Sequence, residues 1–298
     1  MKSKASYPLL ILTFLCNGFS YSQETANFLL FSEQLQWTNP ALVGLTEQKR
    51  LGIMIDSQWL GIKDAPKQQT LFFESFNPSQ KLNLGALIRN RSRFAENSTQ
   101  FFLQFAYPIQ IANNTYLQLG AHAGGDFYEL NFDYLSSIDG VVKDPLLQRQ
   151  LRFIPNGGIG IYLKRKEYVF HLSFPRLLEG LAFKNIPEVF LPNRFYFSTA
   201  IARSFKTVLD RELFTLTFQL HNLGLDSLLF QLKGSYPLPF GELLLGVNSS
   251  KSSSVGFQLY TQGVFGLAYA FEFPIHSSAD LKLNNHSIVL QFKIQSKN

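Results

Sequence analysis

Apolar and polar residues alternate along most of this chain, and this period of two constrains the fold more than any other feature of the sequence. In segment 212–220, Phe214, Leu216 and Phe218 share one parity, whereas Thr215 and Thr217 share the other. Successive side chains of a β-strand point to opposite faces, so the pattern predicts strands with one apolar and one polar face. It recurs at 100–107, 117–123, 228–233, 265–273 and 287–294. The sequence therefore predicts an all-β fold.

Turn residues divide the alternating segments into about 14 candidate strands, an even number that is typical of bacterial transmembrane barrels. The turn signals include Asn-Pro-Ser at 77–79, Asn-Asn at 113–114 and Lys-Gly-Ser at 233–235. The candidate strands are 50–58, 68–76, 82–90, 98–108, 115–124, 157–164, 168–174, 194–204, 212–220, 227–234, 240–248, 254–260, 264–272 and 286–294.

Composition separates a membrane barrel from a soluble β-sandwich, which also alternates. Charged residues make up 16% of the chain, against roughly 25% in soluble proteins. The polar parity carries mainly Gln, Ser, Thr, Gly and Ala, which suits a barrel interior, and the apolar parity is uncharged on almost every candidate strand, as lipid contact requires. We therefore predict an antiparallel transmembrane β-barrel of about 14 strands.

Tyrosines near the ends of the candidate strands are expected to form aromatic girdles at the membrane interfaces. These residues are Tyr107, Tyr116, Tyr162, Tyr168, Tyr196, Tyr236 and Tyr260.

The N-terminus has the features of a cleaved signal peptide. Lys2 and Lys4 precede an apolar run at 9–15, and small residues lead up to Ser22 and Gln23. The run is too short for a spanning helix, which needs about 20 residues. We predict a signal peptide at 1–22, an outer-membrane barrel at 23–298, and a pre-barrel segment at 23–49. That segment is expected either in the lumen or in contact with a periplasmic partner.

The single cysteine and the scattered charge exclude several kinds of site. Cys16 lies within the predicted signal peptide, so the mature chain would have no disulfide and no cysteine-ligated metal. The net charge of +6 comes from short basic stretches such as Lys164-Arg165-Lys166, which indicate solvated loops rather than nucleic-acid binding.

Two long connections, near 125–156 and 175–193, are expected on one side of the membrane.

Several motifs, in order along the chain, resemble those of the PorP/SprF family of type IX secretion proteins. The first is Asn-Pro-Ala-Leu-Val-Gly at 39–44, and the second is Ser-Gln-Trp-Leu-Gly at 57–61 with Ala65-Pro66 after it. Later matches are Pro-Asn-Gly-Gly-Ile-Gly-Ile-Tyr at 155–162, Leu-Ser-Phe-Pro at 172–175 and Asn-His-Ser-Ile-Val-Leu at 285–290. The chain departs from the family pattern at 93–97, where a Gly-rich turn is usual, and at Ser287, where a glutamate is usual.

The resemblance implies an outer-membrane barrel of Bacteroidetes-type bacteria that supports export of proteins with C-terminal sorting domains. Family members act as a core component that contacts the periplasmic ring and an OmpA-like peptidoglycan-binding protein, or as the dedicated partner of a secreted adhesin, often in gliding motility. The sequence leaves both roles open. The expected partners are thus proteins and outer-membrane lipid.

No residue set indicates catalysis, a cofactor or a metal site, and we predict that the protein is not an enzyme. The five histidines lack ligand spacing, and no serine is placed as a nucleophile beside His221 and Asp226. An outer-membrane porin or hydrophobic-solute channel is the alternative function, and a lipid hydrolase is a more distant one. Tryptophan is a frequent interface anchor, which suggests two partner-binding segments. The candidate partner-binding residues are Trp37, Asn39, Pro40, Trp59, Gly61 and Pro66.

Overall fold

The computed structural model describes residues 38–77, 81–130, 150–178, 196–207, 211–223, 228–260, 264–275 and 284–294. The predicted signal peptide lies outside these ranges.

The described chain forms a closed antiparallel barrel of 14 strands. The strands are β1 (Lys49–Gln58), β2 (Lys67–Ser75), β3 (Asn83–Arg93), β4 (Glu96–Ala112), β5 (Thr115–Leu130), β6 (Gln150–Arg165), β7 (Tyr168–Phe174), β8 (Tyr196–Lys206), β9 (Glu212–Leu223), β10 (Leu228–Leu238), β11 (Gly241–Asn248), β12 (Ser252–Tyr260), β13 (Phe265–Pro274) and β14 (Asn285–Ile294). Each strand pairs with its sequence neighbours, and β1 pairs with β14 to close the ring. The predicted fold class is confirmed.

The burial pattern of the strands matches the predicted alternation. On β9, Phe218 is exposed on the outer surface, whereas Thr217 and Gln219 are buried in the lumen. On β4 the polar parity carries one phenylalanine, Phe102, and this side chain is buried in the lumen against His122 with 4.6 Å between ring centroids. The barrel therefore has an apolar outer wall and a largely polar, filled interior.

The two ends of the barrel differ. We call the end where β1 begins and β14 ends the proximal end, and the other the distal end. Proximal turns include the two-residue connections at 113–114 and 166–167, while the two longest connections, 131–149 and 175–195, both join strands at the distal end. This confirms that the long connections share one side, as barrels with short periplasmic turns require.

Three strands exceed their predicted lengths by about six residues or more. β4, β5 and β6 have 17, 16 and 16 residues. The long connection predicted near 125–156 is shorter in the structure, because Gly125 and Pro155 at its two ends pair with each other within β5 and β6. A β carbon at Gly125 would overlap the Phe153 ring, so the glycine lets Phe101, Phe127 and Phe153 pack together on the outer wall.

The predicted aromatic girdle is present at the proximal end, but not with all of its members. Outward-facing, exposed tyrosines near this rim are Tyr107, Tyr168, Tyr236 and Tyr260. Tyr116 and Tyr162 face the lumen instead, where their rings meet edge to face at 6.3 Å. Both lie on the polar parity of their strands, which strand-end position alone does not reveal. In the described part of the chain, no helix has the length and apolarity needed to cross a membrane.

Candidate lumenal site and its proximal mouth

The chain before β1 lies inside the barrel. Residues 38–44, which we call the lumenal segment, are buried and pack against β4, β5 and β6. The segment contains a short 3₁₀ turn, Pro40–Leu42, which Asn39 caps by accepting a hydrogen bond from the Ala41 N–H at 2.9 Å. Proline at the first position of a helical turn has no N–H to leave unsatisfied. The Asn-Pro-Ala motif thus folds the segment into a compact turn within the lumen.

Three wall residues are hydrogen-bonded to the lumenal segment, two through their side chains and one through its backbone carbonyl. The Gln118 amide donates to the carbonyl oxygens of Ala41 at 2.9 Å and Val43 at 2.7 Å, and Asn83 donates to Val43 O at 3.3 Å. In the other direction, the Asn39 amide donates to Ile161 O on β6 at 3.3 Å. Buried carbonyl groups need such partners because leaving one unpaired costs about 1–3 kcal/mol. The segment is therefore fixed to β3, β5 and β6.

Two glycines make room for this contact. Gly120 on β5 and Gly160 on β6 are directly paired across the strands, and both are on the lumenal face. A β carbon at Gly120 would overlap the Ala41 backbone, and one at Gly160 would overlap the Asn39 side chain. The paired glycines form a flat pad against which the segment's backbone rests.

Next to the segment, the rest of the lumen is also filled. Arg50 forms a buried ion pair with Glu74 at 3.1 Å and donates to Gln291 at 2.9 Å, which joins β1, β2 and β14. On the distal side of this network lies a cluster of buried apolar side chains. Its members are Met54, Phe72, Leu244, Ala268, Ala270 and Val289.

A groove of about 590 Å³ opens at the proximal mouth, and we call it the rim groove. It is lined by Gln110, Asn114, Thr115, Tyr116, Lys164, Lys166, Glu167 and Lys206. The turns that frame it are joined, because Lys166 N–H donates to Asn114 O at 3.0 Å and Ser204 N–H donates to Glu167 O at 2.9 Å. On its lumenal side, Tyr116 donates to the same Gln118 that holds the lumenal segment. The groove and the segment are thus linked through two side chains.

The predicted partner-binding residues fall into two separate places. Asn39 and Pro40 are buried in the lumenal segment, and Trp37 lies outside the described residues. Trp59, Gly61 and Pro66 belong to the distal β1–β2 connection, where Trp59 packs near Phe94 with 6.4 Å between ring centroids. Gly61 is exposed and Pro66 is buried. The structure does not bring the two segments together, and their binding of a partner stays a prediction.

The four histidines that the structure describes are spread over the barrel. His122, His171 and His221 are buried on the lumenal face, as expected of polar lumen residues, whereas His286 faces outward and accepts from or donates to the Tyr269 hydroxyl at 2.8 Å. His276 lies outside the described residues. Among the residues that the structure describes, no group of three or more His, Cys, Asp or Glu side chains is placed to hold a metal ion.

Sequence reasoning missed the residues that hold the lumenal segment: Asn83, Gln118, Gly120 and Gly160. One signal was present, because Gly120 and Gly160 lie on the polar parity of neighbouring candidate strands, where a glycine permits close approach of another backbone. That signal does not indicate which part of the chain packs against the two glycines.

Comparison with known families decides the relationship. Residues 20–292 match the family model described as type IX secretion system membrane protein PorP/SprF. This chain belongs to the PorP/SprF family. The match covers the lumenal segment and all 14 strands up to residue 292. The resemblance of the sequence motifs is confirmed, and the PorP/SprF protein is a membrane protein of the type IX system. No curated protein matches it.

Solved structures share the barrel fold with this PorP/SprF protein. The CymD monoaromatic hydrocarbon channel aligns with a TM-score of 0.52 at 11% identity, covering 87% of this chain and 91% of that chain. The toluene transporter TodX of Pseudomonas putida aligns with a TM-score of 0.52 at 9% identity, covering 93% of this chain and 95% of that chain. At such low identity these likenesses show the fold alone.

Proposed function

We propose that this PorP/SprF protein is an outer-membrane component of the type IX secretion system that acts by binding other proteins. It supports the export or surface attachment of proteins with C-terminal sorting domains, and no chemical step is assigned to it. Export through a signal peptide at 1–22 would deliver the barrel to the outer membrane, with the short proximal turns in the periplasm.

The observation that carries the proposal is the filled lumen. The lumenal segment is hydrogen-bonded to β3, β5 and β6, and it leaves Ala41 and Val43 fully buried at 0% exposure. A segment that is hydrogen-bonded at several points makes the lumen unsuited to free passage of solutes. It makes the barrel suited to act as a rigid scaffold. Such a scaffold presents its two rims as the surfaces that partners can reach.

Two kinds of partner fit this role. One is the periplasmic ring together with an OmpA-like peptidoglycan-binding protein, and the other is a cognate secreted adhesin, as in gliding. At the distal end, the connection that carries Trp59, Gly61 and Pro66 is a second candidate contact for a partner, since Gly61 is exposed beside a half-buried tryptophan.

The test combines deletion with purification. Deleting the gene is expected to remove one or more proteins with C-terminal sorting domains from the cell surface or medium, as measured by mass spectrometry. A tagged chain extracted in mild detergent is expected to co-purify with ring components or with one such adhesin, which separates the two roles. Normal secretion after deletion would contradict the proposal.

Conductance measures the alternative directly. The purified chain in planar bilayers is expected to show no steady ion current, because the lumenal segment occupies the lumen. Steady conductance or uptake of a hydrophobic solute, with unchanged secretion in the deletion strain, would favour a channel instead.

A further inference from the structure

We propose that the rim groove is the docking site for an extended acidic segment of a periplasmic protein. This inference rests on the proposed function in two respects, namely that the partner is a protein and that the proximal end faces the periplasm. The chemistry of the groove supplies the rest.

The direction of the groove favours a peptide over a lipid headgroup. Tyr116 and Lys164 lie directly opposite each other on β5 and β6, on the same face as Gln118 and Gly160. Their side chains therefore line the mouth of the barrel rather than its outer wall. A headgroup in the membrane plane contacts the outer wall, where Arg203 lies over the Tyr168 ring at 5.2 Å. The groove is reached from the aqueous side.

The charges of the groove favour carboxylates. Its lining holds Lys164, Lys166 and Lys206 against the single acid Glu167. All three lysines are exposed, so a bound carboxylate would pair with ammonium groups that keep access to water. Two further acids lie beside the groove but outside its lining: Glu47, just after the lumenal segment, interacts electrostatically with Tyr116, and Glu212 lies opposite Lys206 on β9. Steering of an acidic segment toward such a basic mouth raises the association rate more than the affinity.

Polar groups of the groove suit a peptide backbone as well as its acidic side chains. Asn114, Thr115 and Tyr116 lie side by side on one edge, and together they offer hydroxyl and amide groups that donate or accept hydrogen bonds. The volume of about 590 Å³ lies in the range of binding pockets for small ligands, which is room for a few residues of an extended chain.

Two irregular strand pairings flank the groove. The β4–β5 register shifts between Gln110 and Ala112, where the Gln110 amide donates to Ala112 O at 2.7 Å, and the β8–β9 register shifts between Phe205 and Lys206. Bulges at barrel rims bend a strand and redirect side chains. Gln110 and Lys206, beside these two irregularities, both line the groove.

The test is direct binding of a probe peptide to the purified full chain in detergent. A fluorescent peptide of alternating Asp and Ser residues is compared with its Asn counterpart by fluorescence anisotropy. The acidic peptide is expected to bind, and the Asn peptide to bind about tenfold more weakly or not at all. The double variant Lys164→Glu/Lys166→Glu is expected to weaken the acidic peptide by about tenfold or more, because two attractive pairs become repulsive.

A matched control is Lys251→Glu. Lys251 is exposed in a tight distal turn with φ of 60°, much as Lys166 is exposed in a tight proximal turn with φ of 53°. This variant is expected to bind the peptide as the parent does. Equal loss in both variants, or no peptide binding to the parent chain, would overturn the proposal. Heat-dependent gel mobility checks that each variant is a folded barrel.

Two further outcomes separate this inference from others. Binding of anionic lipid in nanodiscs that depends on Lys164 and Lys166, with no peptide binding, would assign the groove to headgroups and overturn the proposal. In cells, the double variant is expected to reduce secretion as deletion does. If deletion abolishes secretion but the double variant does not, the groove proposal is wrong while the proposed function stands.

Discussion

Gly160 and Asn39 are in direct contact on the inner face of the barrel wall. A β carbon at residue 160 would lie well inside 3.0 Å of Asn39 Oδ1, although real β carbons essentially never approach other atoms so closely. The contact joins the middle of β6 to a segment that precedes the first strand. The absence of a side chain at residue 160 is therefore a condition for the lumenal segment to lie where it does.

Gly160→Ala is expected to displace the lumenal segment and to destabilise its packing by about 1–3 kcal/mol, the usual cost of overpacking a filled interior. The measurement is maleimide labelling of a Val43→Cys reporter. The only native cysteine, Cys16, precedes the predicted cleavage site, so the reporter is expected to be the single thiol of the mature chain. Labelling is expected to accelerate. Gly234→Ala is the control, because nothing lies within 4 Å of a β carbon there. Equal labelling in both variants would show that the pad is not needed.

Gln118→Ala is expected to loosen the same segment by a different route. It removes the hydrogen bonds to the Ala41 and Val43 carbonyl oxygens. Val43 O keeps its bond from Asn83, but Ala41 O loses its Gln118 donor, and a buried carbonyl left unpaired costs about 1–3 kcal/mol. Hydrogen exchange of residues 38–44, followed by mass spectrometry, is expected to increase. Gln110→Ala serves as the comparison, since Gln110 is exposed and donates only to nearby Ala112 O. Unchanged exchange in the Gln118 variant would contradict this assignment.

Glu74→Ala is expected to destabilise the barrel by about 3–5 kcal/mol, because it leaves Arg50 buried without its carboxylate. Urea unfolding in detergent, read by tryptophan fluorescence, measures the change. The double variant Arg50→Met/Glu74→Leu is expected to recover much of the loss, since it removes both buried charges. A double variant less stable than Glu74→Ala would argue against an electrostatic cause.

Phe218→Arg tests the membrane-facing wall. Phe218 lies midway along β9 and is 47% exposed on the outer surface. An arginine at the bilayer midplane on this face costs about 2–4 kcal/mol. Folding into lipid vesicles, followed by gel mobility, is expected to become less complete. Thr217→Ser, on the lumenal face of the same strand, is expected to fold as the parent does. Normal folding of the arginine variant would place this wall out of contact with lipid.

Much of the barrel could be predicted from sequence, because the period of two is a direct consequence of strand geometry. The predicted 168–174 coincides with β7, and most other strands are within a few residues of their predicted bounds. The largest errors are at β5 and β6, where Gly125 and Pro155 resemble turn residues but pair within strands. Glycine and proline indicate only the local preferences of the backbone. Hydrogen bonding to neighbouring strands can override those preferences.

The lumenal site was harder to predict. The Asn-Pro-Ala motif is evident in the sequence, and the lumen is one of the two places predicted for the segment that carries it. Alternation places Gln118 on the interior face of its strand, but it carries no information on what fills a barrel. Contacts such as Asn39 with Ile161 join residues far apart in the chain. The rim groove is lined by turn and strand-end residues of several strands, and their approach to one another leaves no periodic trace in the sequence.

The attachment of the lumenal segment to β3, β5 and β6 has a consequence for the order of assembly. Those strands are all among the first six of the barrel, whereas the seam that closes the ring is made by β1 and the last strand, β14. The surfaces that receive the segment can therefore be complete while the sheet is still open at its side. Placing the lumenal segment before β1 pairs with β14 means that the chain does not have to be threaded through a closed barrel.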